Sequence, residues 1–236
     1  MQITIIQTAD PVKYLPIIRA TERVNRLYAK LHGCDYAAYK ELVRGRSPVH
    51  AAFNRVYLMD RMREAGYRGW IAYLDSDAYF GNLYFDLSDY LAANAGHCFI
   101  AARASADPRK WAINNGVFFL NLGHPLGQRL VQTYRHYVDR LVPQSYWEQE
   151  DAAWPPQEYD DQNILFSVLA HDAEILDNMK NEESAFNCGP ASAIAQIVRD
   201  AYPSFAERVA AIEQACDGVI NAFVQDINPF LVKTWP

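Results

Sequence analysis

The chain has 236 residues, 50% of them hydrophobic, and its formal net charge is −6. This length fits one domain with a substantial core. An acidic chain without a lysine- or arginine-rich run is not typical of nucleic-acid-binding proteins, so we expect no nucleic-acid partner.

Cysteines and apolar runs indicate the compartment. None of the four cysteines belongs to a C-x-x-C pair, which favours free buried thiols in a reducing compartment over a zinc site or a disulfide framework. The sequence shows no signal peptide and no apolar run long enough to span a bilayer. We therefore expect a cytoplasmic protein, with peripheral membrane attachment as an alternative. The cysteines are Cys34, Cys98, Cys188 and Cys216.

Strand-like and helix-like patterns alternate in the first part of the chain. Gly33 is a typical helix end, and Ser47-Pro48 is a typical helix start, since serine caps helices and proline fits the first turn. Such alternation is typical of an α/β sandwich with a largely parallel sheet. The expected elements are a strand at 2–8, a helix from about 11 to 31, a strand at 34–39 and a helix from 47 to 66.

The most informative stretch is Trp70-Ile-Ala-Tyr-Leu-Asp-Ser-Asp-Ala-Tyr-Phe80. Its unbroken apolar start predicts a strand buried on both faces of a sheet. Asp75 and Asp77 follow at the carboxyl end, where open α/β sheets bind ligands. Close carboxylates are tolerated when a cation neutralises them, and Mg²⁺ and Mn²⁺ prefer oxygen ligands. The stretch predicts a metal–diphosphate site; the alternative is a helix cap at Asp75 and a solvated Asp77.

Apolar periodicity continues through the second part of the chain. A helix is expected at 125–141, with Leu126, Leu130, Tyr134, Tyr137 and Leu141 on its core side. The remaining expected elements are a helix at 86–95, a strand at 98–103, a polar loop at 104–110, a strand at 114–121, a helix from 159, a short strand at 173–176 and a mostly helical tail from about 190 to 215.

Residues 143–158 interrupt this pattern and are rich in proline, tryptophan and glutamate. Long irregular segments in compact domains are often lids or substrate loops. Tyr146, Trp147 and Trp154 suit stacking against carbohydrate, and packing within a lid is the alternative.

Several short stretches between residues 1 and 170 occur in an order found in a known superfamily. They are Tyr28-Ala-x-x-His-Gly33, Arg55, Tyr73-Leu-Asp-Ser-Asp-Ala78, Asn115-Gly-Val-Phe-Phe-Leu-Asn121 and Asp161-Gln162. In this order the chain resembles the GT-A nucleotide-sugar-dependent glycosyltransferases, most closely the galactosyl/mannosyl/xylosyltransferase family of fungal and plant Golgi enzymes. The resemblance implies a Rossmann-like three-layer α/β/α sandwich with a mixed, mostly parallel central sheet and a helical C-terminal tail. It implies a single domain, 1–236, with a nucleotide-sugar and metal half at 1–122 and an acceptor half at 123–236.

The resemblance also implies an activity. It predicts a metal-dependent glycosyltransferase that moves a hexose or pentose from a nucleotide-diphosphate sugar to a hydroxyl of a glycan or another acceptor. UDP is the expected nucleotide, Mn²⁺ (or Mg²⁺) the expected cofactor, and retention the expected stereochemistry, as in the family. The Golgi enzymes' membrane anchor and stem have no counterpart here, which suggests a microbial or viral relative in glycan biosynthesis. A homodimer is a further expectation.

The resemblance also implies roles for individual residues at the matching positions of this chain. The resemblance implies that Asp75 and Asp77 hold the metal, that Arg55 faces the diphosphate, and that Asp161 and Gln162 lie near the anomeric carbon as catalytic residues. The alternatives are a surface ion pair for Arg55 and a favourable helix N-terminus for Asp160 and Asp161. The resemblance implies that Gln7, Thr8, Ala9 and Asp10 cradle the nucleotide base, and the alternative is that they are only strand and turn. It implies that Asn114, Asn115 and Gly116 line the sugar pocket, and the alternative is a plain turn. The other expected donor-binding residues are Arg55, Asp75 and Ser76.

The sequence departs from the family near its end. The family places a metal-binding histidine there, whereas the last histidine here is His171, and Asp226 is a candidate replacement. A catalytically inactive GT-A-like domain that binds carbohydrate or protein is therefore the alternative function. A haloacid-dehalogenase-type phosphatase fits poorly because its acidic pair lies near the N-terminus. A sugar nucleotidyltransferase fits poorly because no glycine-rich basic loop follows Ile6.

Overall fold

A computed structural model of the chain describes residues 1–104, 108–182, 185–186, 192–198 and 202–233, with side chains as far as residue 227. Cys188 and part of the predicted polar loop, 105–107, lie outside these residues. The strands are β1 (Ile3–Thr8), β2 (Asp35–Tyr39), β3 (Trp70–Asp75), β4 (Ala78–Phe80), β5 (Phe99–Arg103), β6 (Ile113–Asn121), β7 (Met179–Glu182) and β8 (Ile194–Gln196). The helices are α1 (Leu15–His32), α2 (Asn54–Glu64), α3 (Leu87–Ala93), α4 (Pro125–Leu141), α5 (Gln144–Trp147), α6 (Asp161–His171), α7 (Ala173–Asp177) and α8 (Phe205–Lys233), with a 3-10 helix at Pro48–Phe53.

The central sheet has the strand order β2-β1-β3-β6-β5-β7. Strand β1 is parallel to β2 and β3, and β5 is parallel to β7, whereas β6 is antiparallel to both of its neighbours. Strands β4 and β8 form a separate antiparallel pair. The predicted α/β fold with a mixed, mostly parallel sheet and a helical C-terminal segment is confirmed.

Helices cover both faces of the sheet, because its central strands bury side chains on both faces. Along β3, Ile71 and Tyr73 pack with residues of α2, α4 and α6, whereas Trp70, Ala72 and Leu74 pack with residues of α1, α3 and α8. This arrangement explains why the strand is apolar without alternation. The carboxyl ends of β1 and β3 lie side by side, with Thr8 paired to Asp75.

The helix boundaries follow local signals. Helix α1 ends at Gly33, whose φ of 65° lies in the left-handed region that glycine adopts readily. Ser47 precedes the 3-10 helix in an extended conformation, as expected of an N-cap. Within the described residues, no helix is long and apolar enough to cross a membrane.

The predicted strand at 173–176 is wrong, because these residues belong to α7. The side chain of Asp172 caps this helix by accepting a hydrogen bond from the backbone N–H of Ile175 at 3.0 Å. The strand follows directly as β7, at the edge of the central sheet beside β5. The cap outweighs the apolar run, which is too short to distinguish a strand from a helix by periodicity.

The predicted tail helix begins too early. Strand β8 lies within its range, and α8 starts at Phe205. Ser204 and Glu207 form a reciprocal cap: the Ser204 hydroxyl accepts from the backbone N–H of Glu207 at 3.2 Å and donates to its carboxylate at 3.0 Å. A Ser-x-x-Glu pattern marks a helix start in sequence.

The buried stripe of α4 differs from the predicted one at its end. Leu126, Leu130 and Tyr134 are buried as predicted, but the stripe continues through Val138. Leu141, the last residue of the helix, is 42% exposed. Helix periodicity places position 141, seven residues after Tyr134, on the same face, so Leu141 is exposed because it is the last residue of the helix and not because it lies on another face.

Candidate active site

A cavity of about 700 Å³ opens at the carboxyl edge of β1 and β3. The end of β1 and the turn between β3 and β4 form one side of it. The segments around the 3-10 helix, α6, β8 and α8 complete the wall. Among the lining residues are Thr8, Ala9, Asp10, Arg55, Asp75, Ser76, Asp77, Gln162, Gln196 and Arg208. The structure therefore brings eight of the predicted site residues together and adds two from the tail of the chain.

Gln7 holds in place the turn between β3 and β4, which carries Asp75 and Asp77 and is called the acidic turn below. Its side chain is fully buried and donates hydrogen bonds to the carbonyl oxygens of Asp75 at 3.0 Å and Ala78 at 3.1 Å. Its own amide oxygen accepts from Asn25 at 2.8 Å and from the Tyr36 hydroxyl at 2.6 Å. Gln7 is not among the residues of the cavity wall, and its predicted contact with the donor stays a prediction.

Replacing Gln7 with alanine is expected to lower the free energy of unfolding by about 2–4 kcal/mol, because buried carbonyl oxygens and donors lose their partners. Urea denaturation measures this. Gln2→Ala is the matched control, since Gln2 is exposed and its side chain donates a weak hydrogen bond of 3.4 Å to Asp35. The control should change stability by less than about 0.5 kcal/mol. Equal effects of the two variants would contradict the assigned role.

Arg55 pairs with Asp75 at one end of the acidic turn. Its Nη2 donates to Asp75 Oδ1 at 2.8 Å, and its Nη1 donates to the carbonyl oxygen of Asn115 at 2.5 Å. Its Nε lies 3.4 Å from Asp161 Oδ2, and its guanidinium lies over the ring of Tyr73 at 4.6 Å. Arg55 is only 5% exposed. It therefore ties α2, β3, β6 and α6 together, and the surface ion pair considered from sequence is wrong.

Asp77 pairs with a second arginine at the other end of the turn. Nη2 of Arg208 contacts Asp77 Oδ2, and Nε of Arg208 donates to the carbonyl oxygen of Ile197 at 2.9 Å. The amide nitrogen of Gln196 lies between the carboxylates, 2.9 Å from Asp77 Oδ1 and 3.4 Å from Asp75 Oδ2. Burial and the neighbouring charge of Asp75 raise the pKa of Asp77 to about 6, against the opposing effect of Arg208.

The Asn-Asn-Gly segment supports the site from β6. A Cβ atom at Gly116 would lie 2.5 Å from Gln196 Oε1, so only glycine lets Gln196 approach this closely. Asn114 accepts a hydrogen bond from the backbone N–H of Gly116 at 2.8 Å, and Asn115 donates to Asp161 at 3.0 Å. None of the three lines the cavity, and their contact with the sugar stays a prediction.

Asp161 contacts Arg55, whereas its neighbours Asp160 and Gln162 have other roles. The Asp160 carboxylate caps α6 by accepting from the backbone N–H groups of Gln162 at 2.9 Å and Asn163 at 3.2 Å. Asp161 itself is 3% exposed, and Gln162 lies on the cavity wall. Burial raises the pKa of Asp161 to about 7, with Arg55 opposing the rise. Its position suits a carboxylate that orients Arg55.

Asp161→Asn is expected to remove a pH dependence of stability. The pKa of Asp161 is about 7 in the folded protein and has an ordinary value of 3.8. Between these values the unfolded chain loses this proton and the folded chain keeps it, so wild-type stability falls as pH rises to about 7. The variant should gain roughly 2–4 kcal/mol on wild type between pH 4.5 and pH 8. Urea denaturation across this range measures the difference; a constant difference would contradict the assignment.

The loop after β1 is organised by Asp10. Its carboxylate is buried and accepts hydrogen bonds from the backbone N–H groups of Val12 at 2.8 Å, Lys13 and Tyr14 at 2.9 Å. Thr8 shares a hydrogen bond of 3.0 Å with the hydroxyl of Tyr73. These contacts fix the shape of the wall where a nucleotide base is predicted to bind.

The segment 143–158 contributes to both core and cavity. Tyr146 and Trp147 are 4% and 3% exposed, and their rings lie 4.8 Å and 5.3 Å from the ring of His50. Their predicted stacking against carbohydrate is wrong, because they are core residues. Trp154 is 48% exposed and lines the cavity, and its Nε1 donates to Asp160 at 2.8 Å.

Sequence reasoning missed Gln196 and Arg208. The capping pattern at Ser204 marks the start of α8 and so places Arg208 in its first turn, but no local signal shows that this turn reaches Asp77.

Asp226, considered as a metal ligand, accepts a hydrogen bond from the Tyr84 hydroxyl at 3.3 Å on an exposed part of α8 and does not line the cavity.

The acidic pair, as arranged, does not fit a divalent metal ion. Tyr73 and Arg55 donate to Asp75 Oδ1, Gln196 donates toward both carboxylates, and Arg208 contacts Asp77 Oδ2. All four carboxylate oxygens thus have a donor from the protein. Across the described part of the chain, no group of three or more histidine, cysteine, aspartate or glutamate side chains is placed to hold a metal.

The mixed sheet with an acidic turn at its carboxyl edge is a GT-A-like architecture, and comparison with solved structures supports this class. A glycosyltransferase involved in the glycosylation of the major capsid of PBCV-1 has a TM-score of 0.65 and 15% identity, covering 90% of this chain and 100% of its own. The apo form of the glycosyltransferase GlyE of Streptococcus pneumoniae TIGR4 has a TM-score of 0.54 and 13% identity. That match covers 96% of this chain and 64% of GlyE. No protein-family model and no curated protein matches the chain.

Proposed function

We propose that this protein is a glycosyltransferase that moves a hexose or pentose from a nucleotide-diphosphate sugar, with UDP as the expected nucleotide, to a hydroxyl of a glycan or another acceptor. One observation carries the proposal. On a fold shared with glycosyltransferases, Asp75 and Asp77 face a cavity together with Arg55 and Arg208. A cytoplasmic location and a homodimer stay predictions.

The cavity suits such a donor in size and chemistry. Its volume of about 700 Å³ falls in the range of sites that enclose a small-molecule ligand. Arg55 and Arg208 supply the planar, charged donors that recognise phosphate oxygens. The loop at Ala9 and Asp10 would take the base, and Gln162 and Trp154 would flank the sugar.

The reaction needs few protein groups. The bond between the anomeric carbon and the phosphate oxygen breaks, and its electron pair stays on the departing diphosphate. The acceptor oxygen bonds to the same carbon, and its proton moves to the leaving phosphate oxygen, so that a retaining reaction needs no side-chain base. Arg55 and Arg208 stabilise the charge that develops on the diphosphate. Asp161 holds Arg55 in place. A requirement for Mn²⁺ or Mg²⁺ at Asp75 and Asp77 stays a sequence prediction, and no step here depends on it.

Thermal unfolding with UDP-, GDP- and CMP-sugars tests the proposal, each with and without Mn²⁺. A ligand at a hundred times its Kd stabilises the native state by about 2.7 kcal/mol, which corresponds to a rise in Tm of about 5–11 °C for a domain of this size. We expect such a rise with either the UDP- or the GDP-linked sugars and not with CMP-sugars, which carry a single phosphate. The matching nucleoside, which lacks phosphates, should give a much smaller one. No rise with any donor would contradict the proposal.

An inactive binding domain is the second candidate. The observation that favours it is the full pairing of both carboxylates by protein donors. Such a domain binds a ligand without turnover, so measuring release of nucleoside diphosphate separates the two candidates.

A further inference from the structure

We propose that Arg208 is the cation of the donor site: its guanidinium, held by Asp77, binds the donor's diphosphate where the family resemblance predicts a divalent metal ion, so that donor binding requires no metal. This inference rests on the proposed function and assigns a role to a residue that no sequence motif marks.

The side chain of Arg208 is held in a fixed position at the cavity wall. Its side chain is 4% exposed, yet it lines the cavity beside Asp75 and Asp77. Two contacts anchor the guanidinium, one from Nη2 to Asp77 and one from Nε to the carbonyl oxygen of Ile197 at 2.9 Å. A side chain held in this way loses little conformational entropy when a ligand binds, which favours affinity.

The charged side chains that line the cavity are largely paired with one another. The charged side chains that line the cavity are Lys13, Arg55, Arg208, Asp10, Asp75 and Asp77. Asp10 is committed to the backbone N–H groups of its own loop. Asp75 is paired with Arg55 and Asp77 with Arg208, so the pair that would otherwise attract a metal ion is already neutralised. The three basic and three acidic side chains of the lining sum to zero formal charge, so an anionic ligand meets paired carboxylates rather than an unbalanced negative charge.

The guanidinium group of Arg208 is suited to binding a carboxylate and a phosphate at the same time. A guanidinium has five N–H donors in one plane, so it can keep a carboxylate on one edge and bind phosphate oxygens on another. Its charge does not depend on pH in the physiological range. In a site shielded from water, its attraction for a diphosphate is stronger than at the surface. Arg208 thus meets the requirements that a metal ion would otherwise meet.

Titration calorimetry with UDP, GDP and CDP, in EDTA and then in MnCl₂, tests the inference on the full chain. We expect wild type to bind one of them with the same Kd in both conditions. In Arg208→Gln, Kd in EDTA should rise about ten- to a hundredfold, as expected for the loss of a charged hydrogen-bond donor. Mn²⁺ should recover much of this loss, because Asp77 is no longer paired with an arginine.

The controls separate charge from structure. Arg23 lies on α1 and pairs with Asp217 of α8 at 2.8 Å, with 53% of its side chain exposed. Arg23→Gln also removes an arginine that contacts α8, and it should bind like wild type. Arg208→Lys keeps the charge and should lose less affinity than Arg208→Gln. If Arg208→Gln does not fold, Arg208→Lys and the EDTA comparison on wild type decide the matter.

Two other outcomes have distinct meanings. If wild type binds only with Mn²⁺ and Arg208→Gln binds as tightly or more tightly than wild type, Arg208 covers a metal site and the inference is overturned. If no nucleoside diphosphate and no nucleotide sugar binds in either condition, the proposed function fails as well.

Discussion

Arg55→Met is expected to lower the free energy of unfolding by about 3–5 kcal/mol, the typical cost of removing one partner of a buried ion pair. The variant leaves Asp75 and Asp161 without their shared guanidinium, and the carbonyl oxygen of Asn115 loses its donor. Methionine fills much of the space, so the loss reflects charge and hydrogen bonding more than packing. Urea denaturation at pH 8, where Asp161 is ionised, measures the effect.

Arg129→Met is the matched control. Arg129 also contacts two carboxylates, those of Asp172 and Glu174, at 2.9 Å and 2.8 Å, but its side chain is 41% exposed. Its removal should cost less than about 1 kcal/mol. The double variant Arg55→Met/Asp161→Asn should recover part of the loss, since one unpaired carboxylate is gone. Similar losses in the two single variants would contradict the buried role of Arg55.

Gly127→Ala is expected to lower the free energy of unfolding by more than about 3 kcal/mol, among the largest effects of a point substitution. Gly127 lies in the first turn of α4, where a Cβ atom would come 2.0 Å from the carbonyl oxygen of Asn121 and 3.3 Å from that of Cys98. Both contacts are to backbone, which cannot move aside without disturbing β5 and β6. The added methyl group would push α4 off the sheet, and with it Tyr134, whose hydroxyl donates to the carbonyl oxygen of Asp161 at 2.8 Å.

The same substitution at Gly218 should have the opposite sign. Gly218 lies inside α8, and a Cβ atom there would meet no atom within 4 Å. Alanine should stabilise the helix by about 0.5–1 kcal/mol through its higher helix propensity. Thermal or urea unfolding of both variants tests the pair. Gly127→Ala with near wild-type stability would show that the junction of β6 and α4 tolerates a side chain.

Local patterns in the sequence predicted much of the fold. The apolar run from Trp70 to Leu74 indicated a doubly buried strand, and Gly33 and Ser47 marked helix boundaries, because the signals for these features lie within a few residues of each other. The predictions failed where two local signals compete over a short run. At 173–176 an aspartate cap decided for a helix, and on α4 the helical spacing placed Leu141 on the buried face although the end of the helix leaves it exposed.

Some residues of the candidate site were predicted from the sequence and others were not. Asp75 and Asp77 were predicted because they follow the apolar run of β3, Arg55 was predicted from the family resemblance, and the structure brings the three together. Gln196 and Arg208 were missed because they reach the site through long-range packing of β8 and α8, which no local pattern encodes. Burial was the other missing quantity: the sequence does not show that Gln7 and Asp161 lie behind the cavity wall.

Release of nucleoside diphosphate from the nucleotide sugar that binds most tightly tests the proposed glycosyl transfer most directly. We expect wild type to release it with transfer of the sugar to water or to an added glycan. Arg55→Lys keeps the charge but not the planar fork, and it should slow release about a hundred- to a thousandfold. A donor that binds but is never cleaved, with or without Mn²⁺ and across a panel of glycan acceptors, would contradict the account and identify an inactive binding domain.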